Sequence, residues 1–315
     1  MSSPIKLYAN LHLHSTHSDG AFTPKELVRT AYEEGYHAIA LTDHDTYTGN
    51  APVREECKKY GMESIYGTEF STKQGFHLTA FHFDPEEPGM KEYLYQLSEK
   101  ETDQTRVLFH RGVEIGYIKN ITWDEVLEYN EGISWLCNEH VFRAMKAKGL
   151  ITDLEYPTFF ETVYGPHRSE VPPIYEWRDA AEVISLVRNA GGICCIAHPH
   201  KQLHRVESLV EAGLNGIEVF HSMLTGEEHM EALRLAKKHN LYVSGGSDHE
   251  GLCGGEYARY EHPEETIFWL EPLEAGTTKY FYEEIRDMTL RPERNSVIDD
   301  LLSIDIWDRY TGWRN

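Results

Sequence analysis

An α/β barrel interrupted by a helical insertion is the fold this sequence predicts, and three observations carry it. Short apolar runs alternate with amphipathic stretches up to about residue 84 and again from about residue 180. Between them helical patterns dominate and strand signals are sparse. The residues with unusual chemistry stand where the apolar runs end, which is where parallel α/β barrels gather their sites. On this reading residues 1–84 and 180–275 form one discontinuous barrel, 85–179 a mostly helical insertion, and 276–315 a C-terminal extension.

The elements follow in order. Ile5 to His14 alternates well enough for a strand. Thr23-Pro24-Lys25-Glu26 is a capping box with proline at the first helical position, and Gly35 ends that helix. H-A-I-A-L-T-D-H-D (37–45) is an apolar run with a polar end, followed by a helix to Gly61. E-S-I-Y-G-T-E-F (63–70) and G-F-H-L-T-A-F-H-F-D (75–84) read as strands, and the repeated pattern predicts parallel strands with helical crossovers. In the insertion a second capping box stands at Thr122 to Glu125, and a helix is expected around Val141 to Lys148. The alternation resumes with a helix in A-A-E-V-I-S-L-V-R-N-A-G-G (180–192), I-C-C-I-A-H-P (193–199) and G-I-E-V-F-H (216–221). A helix over 227–239 and L-Y-V-S-G-G-S-D (241–248) complete it.

Composition bounds the function. The chain has 315 residues, 40% of them hydrophobic, enough to bury a large core. No apolar run is long enough for a membrane span, and the first residues lack the basic-then-apolar pattern of a secretory leader. The five cysteines (Cys57, Cys137, Cys194, Cys195, Cys253) are scattered and odd in number, which fits free thiols in a reducing cytoplasm. Net charge is −22, from 52 acidic against 30 basic residues. Such a surface repels a phosphate backbone, so no nucleic-acid polymer is expected as partner. A small anionic substrate remains compatible where bound cations reverse the local field.

The 18 histidines are the oddity, and their positions matter more than their number. His12 and His14 end the first strand, His44 the second and Glu69 the third; His198 closes I-C-C-I-A-H and Asp248 closes V-S-G-G-S-D. His12 and His14, two apart on a strand, share a face. Imidazoles and carboxylates converging from so many strand ends make a multinuclear metal site.

H-L-H-S-T-H-S-D-G, T-D-H-D, G-T-E, F-H-L, A-H-P, G-I-E-V-F and G-G-S-D together resemble the PHP (polymerase and histidinol phosphatase) superfamily, in its stand-alone phosphoesterase branch, from about Leu7 to Gly251. The resemblance implies a distorted (β/α)7 barrel, TIM-like, with a trinuclear centre of divalent cations: manganese, iron or zinc, with magnesium also possible. It implies a first cation on His12, His14, Glu69 and Asp248, a second bridged by Glu69 and completed by His77 and His198, and a third on Asp19 and His44. The family's last ligand is a histidine two positions after the aspartate, in S-D-x-H. This chain has Ser247-Asp248-His249-Glu250 instead. Parity puts Glu250 rather than His249 on the side of Asp248, and a carboxylate there favours manganese, iron or magnesium over zinc.

The chemistry implied is hydrolysis of a phosphate ester. Two cations about 3.5–4 Å apart share a bridging hydroxide and align the phosphoryl group for in-line attack. His200, His221 and His249 are candidates for proton donation or phosphate contact. The family's R-P-H-I-A-R-A segment, which grips substrate phosphate, corresponds to Asn138 to Ala144; His140 and Arg143 survive as substrate-binding candidates, with Asn138 in the leading arginine position. Lys201, Arg168 and His167 are possible replacements for the missing charge. The expected substrate is a small metabolite, a nucleotide or sugar phosphate, as a monoester or small cyclic phosphodiester. A histidinol-phosphatase-like enzyme is the alternative within the family, opposed by Asp19 where that branch carries histidine. A proofreading exonuclease is opposed by the charge. An amidohydrolase acting on a C–N bond and a non-catalytic sensor complete the alternatives.

Overall fold

The computed structural model describes residues 7–249 and 276–303. In chain order it forms β1 (Leu7–Asn10), α1 (Pro24–Glu33), β2 (Ala38–Leu41), α2 (Asn50–Tyr60), β3 (Glu63–Ser71) and β4 (His77–Phe81). The long α3 (Pro88–Glu114) then leads to α4 (Trp123–Tyr129), α5 (Asn138–Ala147) and the single turn α6 (Tyr156–Phe159). The chain returns through α7 (Ala180–Asn189), β5 (Ile193–Ile196), α8 (Val206–Glu211), β6 (Gly216–Phe220), α9 (Gly226–His239) and β7 (Tyr242–Gly245). β8 (Thr277–Thr278), α10 (Lys279–Arg286) and α11 (Arg294–Leu302) follow. Both expected capping boxes form, Thr23 with Glu26 and Thr122 with Glu125.

The strands make one sheet in the order β7-β6-β5-β4-β3-β2-β1-β8. Past the end of β1 its ends come together: the Leu11 N–H donates to the Gly245 carbonyl at 3.0 Å, the Asp248 N–H to His12 at 2.9 Å, and the His14 N–H to His249 at 3.0 Å. The result is a nearly closed barrel. One expectation needs correction. β4 runs antiparallel to both β3 and β5, not parallel. Five residues join β3 to β4, turning at Gly75 with φ +76°, and a parallel crossover needs a dozen or more. The reversal puts the first residue of β4, His77, at the mouth where the other strands end.

The apolar residues divide into separate clusters. Met90, Tyr93, Leu94 and Leu97, from the first half of α3, pack with barrel residues such as Phe70, Leu78, Val183 and Ile196. Leu108 and Phe109, from its second half, pack with Val141, Phe142, Phe159 and Tyr164. One helix therefore anchors the insertion to the barrel while its far end builds a second core. The C-terminal segment adds Phe281 to the barrel core, and the buried Arg294 pairs with Glu284 at 3.1 Å. The described cysteines, Cys57, Cys137, Cys194 and Cys195, are free and buried. No helix among the described residues is long and apolar enough to cross a membrane.

Candidate metal centre

The centre is built on Glu69, whose carboxylate is fully buried near the end of β3. Its Oε1 lies 3.0 Å from His198 Nε2 and 3.2 Å from His77 Nδ1. Its Oε2 lies 3.1 Å from His12 Nε2 and 3.3 Å from both His14 Nε2 and His44 Nδ1. Asp248 Oδ1 stands opposite, 3.0 Å from His14 Nε2 and 3.3 Å from His12 Nε2. Asp19 reaches His14 Nδ1 at 3.4 Å and His44 Nε2 at 3.5 Å. The sequence-expected ligands His12, His14, Asp19, His44, Glu69, His77, His198 and Asp248 thus converge on one mouth, and Glu250 lies outside the described residues.

Local backbone explains the convergence. His12 and His14 alternate with Leu11 and Leu13, whose side chains are buried in the barrel wall. Gly246 lies directly over His12: a Cβ there would sit 2.3 Å from the His12 Cβ, so no other residue lets the two segments approach. Asp45, His198 and Asp248 have φ of +53°, +27° and +56°, a left-handed conformation uncommon outside glycine, clustered around the site. Asn10 ties β1 to the Asp248 segment, donating to Ser247 Oγ at 2.9 Å and accepting the Ser247 N–H at 3.1 Å.

The donor set fits cations. His12 Nε2, His14 Nδ1, His44 Nδ1 and Glu69 Oε2 are buried without hydrogen-bond partners among the described residues, a costly state unless something charged sits between them. Burial opposes ionisation of Glu69, but the imidazoles of His12, His77 and His44 hold its carboxyl well below the usual range. Burial likewise works against protonated His12, yet the charges of Glu69, Glu218 and Asp248 raise it well above an ordinary histidine. His198, against burial, is raised to about 9, chiefly by Glu69.

These shifts set a pH prediction. Raised histidines stabilise the cation-free fold below their ordinary value of 6.5, and that contribution is lost as pH climbs through about 9. The depressed Glu69 contributes above its ordinary value of 4.5 and loses its contribution in acid. Cation binding displaces the same protons, so its affinity rises with pH. The expected result is a Tm difference between cation-loaded and chelated protein that widens from pH 6 to pH 9. A constant difference over that range would contradict it.

Glu218 has no part in the expected site, although G-I-E-V-F contains it. It is buried mid-strand on β6, and both its oxygens lie 3.2 Å from His12 Nδ1. It also accepts the His198 N–H at 2.7 Å. A carboxylate only accepts, so His12 carries a proton on Nδ1, and Nε2 is the nitrogen whose lone pair a cation would take when it displaces the second proton. The available signal was a lone glutamate inside an otherwise apolar, fully buried strand. Glu218→Gln is expected to weaken cation affinity about 10–100-fold, measured by competition with a chelator. Unchanged affinity would leave Glu218 a packing residue.

The substrate-binding expectations meet a different arrangement. Arg143, 7% exposed on α5, donates to the carbonyls of Gly20 at 2.5 Å and Ser18 at 2.9 Å, with longer contacts to Thr16 and Asp19. His140 accepts the Cys137 N–H on Nδ1 at 3.0 Å and meets the Thr16 carbonyl through Nε2 at 3.2 Å. Both side chains therefore engage the loop that carries Asp19. Asp43 grips the same loop, accepting from the Ser15 N–H and hydroxyl and from Ser18 Oγ at 2.6–2.9 Å. Arg168, a possible replacement cation, instead forms a two-pronged pair with Glu101 at 2.7 Å. The His249 ring is buried and packs on Phe22 with centroids 5.3 Å apart. His200 pairs with Glu228, its Nδ1 2.8 Å from the carboxylate. His221 Nε2 comes to 3.9 Å from Asp248 Oδ2.

Comparison with known proteins agrees with this geometry. The PHP domain model matches residues 10–185. A 5'-3' exoribonuclease of Haemophilus influenzae is 31% identical over 258 residues, covering 78% of this chain and 90% of that protein. A phosphoribosyl 1,2-cyclic phosphate 1,2-diphosphodiesterase of Eggerthella lenta is 27% identical over 252 residues, covering 78% and 95%. Among solved structures, a Bifidobacterium adolescentis protein described as a metal-dependent phosphoesterase superposes with a TM-score of 0.71 at 25% identity, over 92% of this chain and 99% of that one. With matching motifs, barrel and buried donor cluster, the chain belongs to the PHP domain family, as a metal-dependent phosphoesterase.

Proposed function

We propose that this phosphoesterase hydrolyses the phosphate ester of a small metabolite, a nucleotide or sugar phosphate presented as a monoester or small cyclic phosphodiester. The observation that carries the reading is the single buried carboxylate of Glu69, ringed by His12, His14, His44, His77 and His198. We read the donors as three sets: His12, His14, Glu69 and Asp248; Glu69, His77 and His198; and Asp19 with His44, for which Glu250 remains the proposed third ligand. Divalent cations held there supply an acidified water and positive charge for phosphoryl oxygens.

The chain's own residues do the rest. Glu218 sets the tautomer of His12, and Asp43 with Arg143 fixes the loop that presents Asp19. His200, two residues after His198 and paired with Glu228, is the proposed donor of the proton that a leaving alkoxide would need. The proton donor remains a proposal for His200. The net charge of −22 supports a compact substrate over a long polyanion, whose backbone would lie along an acidic surface. The first internucleotide linkage of an RNA end is an acyclic phosphodiester open to the same attack, and the similarity to an exoribonuclease favours it as the second reading.

The deciding experiment measures, on one sample, cation content per chain and the products of ester cleavage: phosphate, ring-opened monoester or nucleoside monophosphate. Substrates are small phosphomonoesters, ribose-type cyclic phosphodiesters and a short 5'-phosphorylated oligoribonucleotide. Near three cations with turnover of the small esters supports the proposal. Preference for the oligoribonucleotide moves the substrate to RNA ends. Full cation content with no ester bond cleaved in any of them, neither phosphate from a monoester, nor ring opening of a cyclic diester, nor a nucleotide from the RNA, would overturn phosphoester hydrolysis.

A further inference from the structure

His221 follows β6 directly, at the start of a tight turn closed by the Leu224 N–H on the His221 carbonyl at 3.1 Å. Within that turn the Met223 N–H donates to His221 Nδ1 at 3.1 Å. A nitrogen that accepts holds a lone pair, so the ring proton sits on the other nitrogen, Nε2. That Nε2 is buried, has no hydrogen-bond partner among the described residues, and stands 3.9 Å from Asp248 Oδ2, too far to donate to it. A buried donor left unmatched is costly, and this one faces the cluster where a substrate would bind.

We infer that His221 holds an N–H of fixed tautomer against the substrate's phosphoryl group, donating to a non-bridging oxygen rather than ligating a cation or delivering a proton. The inference rests on the phosphoester reading of the centre. His12, Glu218 and His221 lie close enough together to suggest a further cation site. Their lone pairs and protons argue otherwise: Glu218 already holds His12 Nδ1 and the His198 N–H, and the His221 lone pair is taken by Met223. With a cation in place of the His12 Nε2 proton, His12 and His221 face the centre with opposite polarity, one by a lone pair and one by an N–H.

The same tautomer revises the role expected of His221 from sequence. Giving up the Nε2 proton while Nδ1 remains an acceptor would leave an imidazolate, an anion out of reach near neutral pH. The proton therefore stays on Nε2 throughout and no bond to it breaks. What the N–H contributes is stabilisation of charge on phosphoryl oxygen, as a neutral imidazole does when it polarises a carbonyl in an isomerase. The tight turn supplies the preorganisation, since the ring is held by backbone and not by a mobile side chain.

The test compares cation-loaded wild type with His221→Ala and His221→Gln, whose amide N–H reaches nearly the same point. His221→Ala should lower kcat about 100-fold, with KM changed little, cation content equal to wild type, and both limbs of the pH profile in place. His221→Gln should recover about tenfold of that loss. Loss of cations in the alanine variant, disappearance of a pH limb, or a glutamine variant no better than alanine would overturn the assignment. Imidazole nitrogen spectra of zinc-loaded wild type, with the His221 signal identified by its absence from His221→Gln, give a readout independent of turnover. An Nε2–H tautomer whose proton signal shifts on adding inorganic phosphate supports the inference, and an Nδ1–H tautomer overturns it. Wild type that cleaves none of the phosphate esters defeats the proposed function instead, and the spectra still decide the tautomer.

Discussion

Glu69→Gln is expected to empty the centre and to lower phosphoester hydrolysis by at least about a thousandfold, an order beyond the 10–100-fold typical of losing an outer partner of a ligand. Glu69 is fully buried, and five imidazoles lie within 3.0–3.3 Å of its two oxygens. Glutamine fits the same volume, so packing is preserved while the charge is lost. Its amide nitrogen must face either His77 and His198 or His12, His14 and His44. On either side it puts protons where a cation would need a lone pair. The cation-free variant should also lose stability near pH 6, because the raised His12 and His198 depend on the Glu69 charge. Metal analysis, turnover and Tm at pH 6 read the three consequences separately. Full cation content with wild-type turnover would show that Glu69 is not at the heart of the site.

Much of this centre is legible from residue spacing because strands impose parity. His12 and His14 must share a face, and strand-end polarity places His44, Glu69, His198 and Asp248 at one mouth. His77 is legible only as part of a motif. An all-parallel reading puts the start of a strand at the wrong end of the barrel, and it is the five-residue connection before β4 that turns His77 back to the mouth. That connection length was itself a readable signal. Glu218 escapes for a different reason. Its partner His12 is 206 positions away, and no local pattern reports which buried histidine a strand glutamate will face. His140 and Arg143 show the same limit in helical form. The spacing of α5 predicts a helix, but not that its buried face meets a loop more than 120 residues earlier. The sequence marks Arg143 as a candidate grip on phosphate, and its contacts with the main-chain carbonyls of Gly20 and Ser18 are what the spacing does not report.

Arg143→Ala is expected to destabilise the protein by about 3 kcal/mol and, in the same step, to cost the centre the cation proposed for Asp19 and His44. The guanidinium fans across the carbonyls of Gly20 and Ser18, with Thr16 and Asp19 at 3.4–3.5 Å. Removing it leaves buried carbonyls unmatched, each worth about 1–3 kcal/mol, inside a loop otherwise held by Asp43 and His140. Asp19 reaches His14 and His44 only because that loop is pinned. A loosened loop should therefore lower cation content by about one per chain and reduce kcat more than it raises KM. Arg143→Lys retains the charge but presents one compact ammonium where a planar fork serves several acceptors, so it should rescue little. A substrate-gripping arginine behaves in the opposite way: KM rises, while cation content and Tm stay at wild-type values and lysine restores part of the binding. Measuring KM, cation content and Tm on the two variants separates an arginine that holds the loop from one that holds the phosphate.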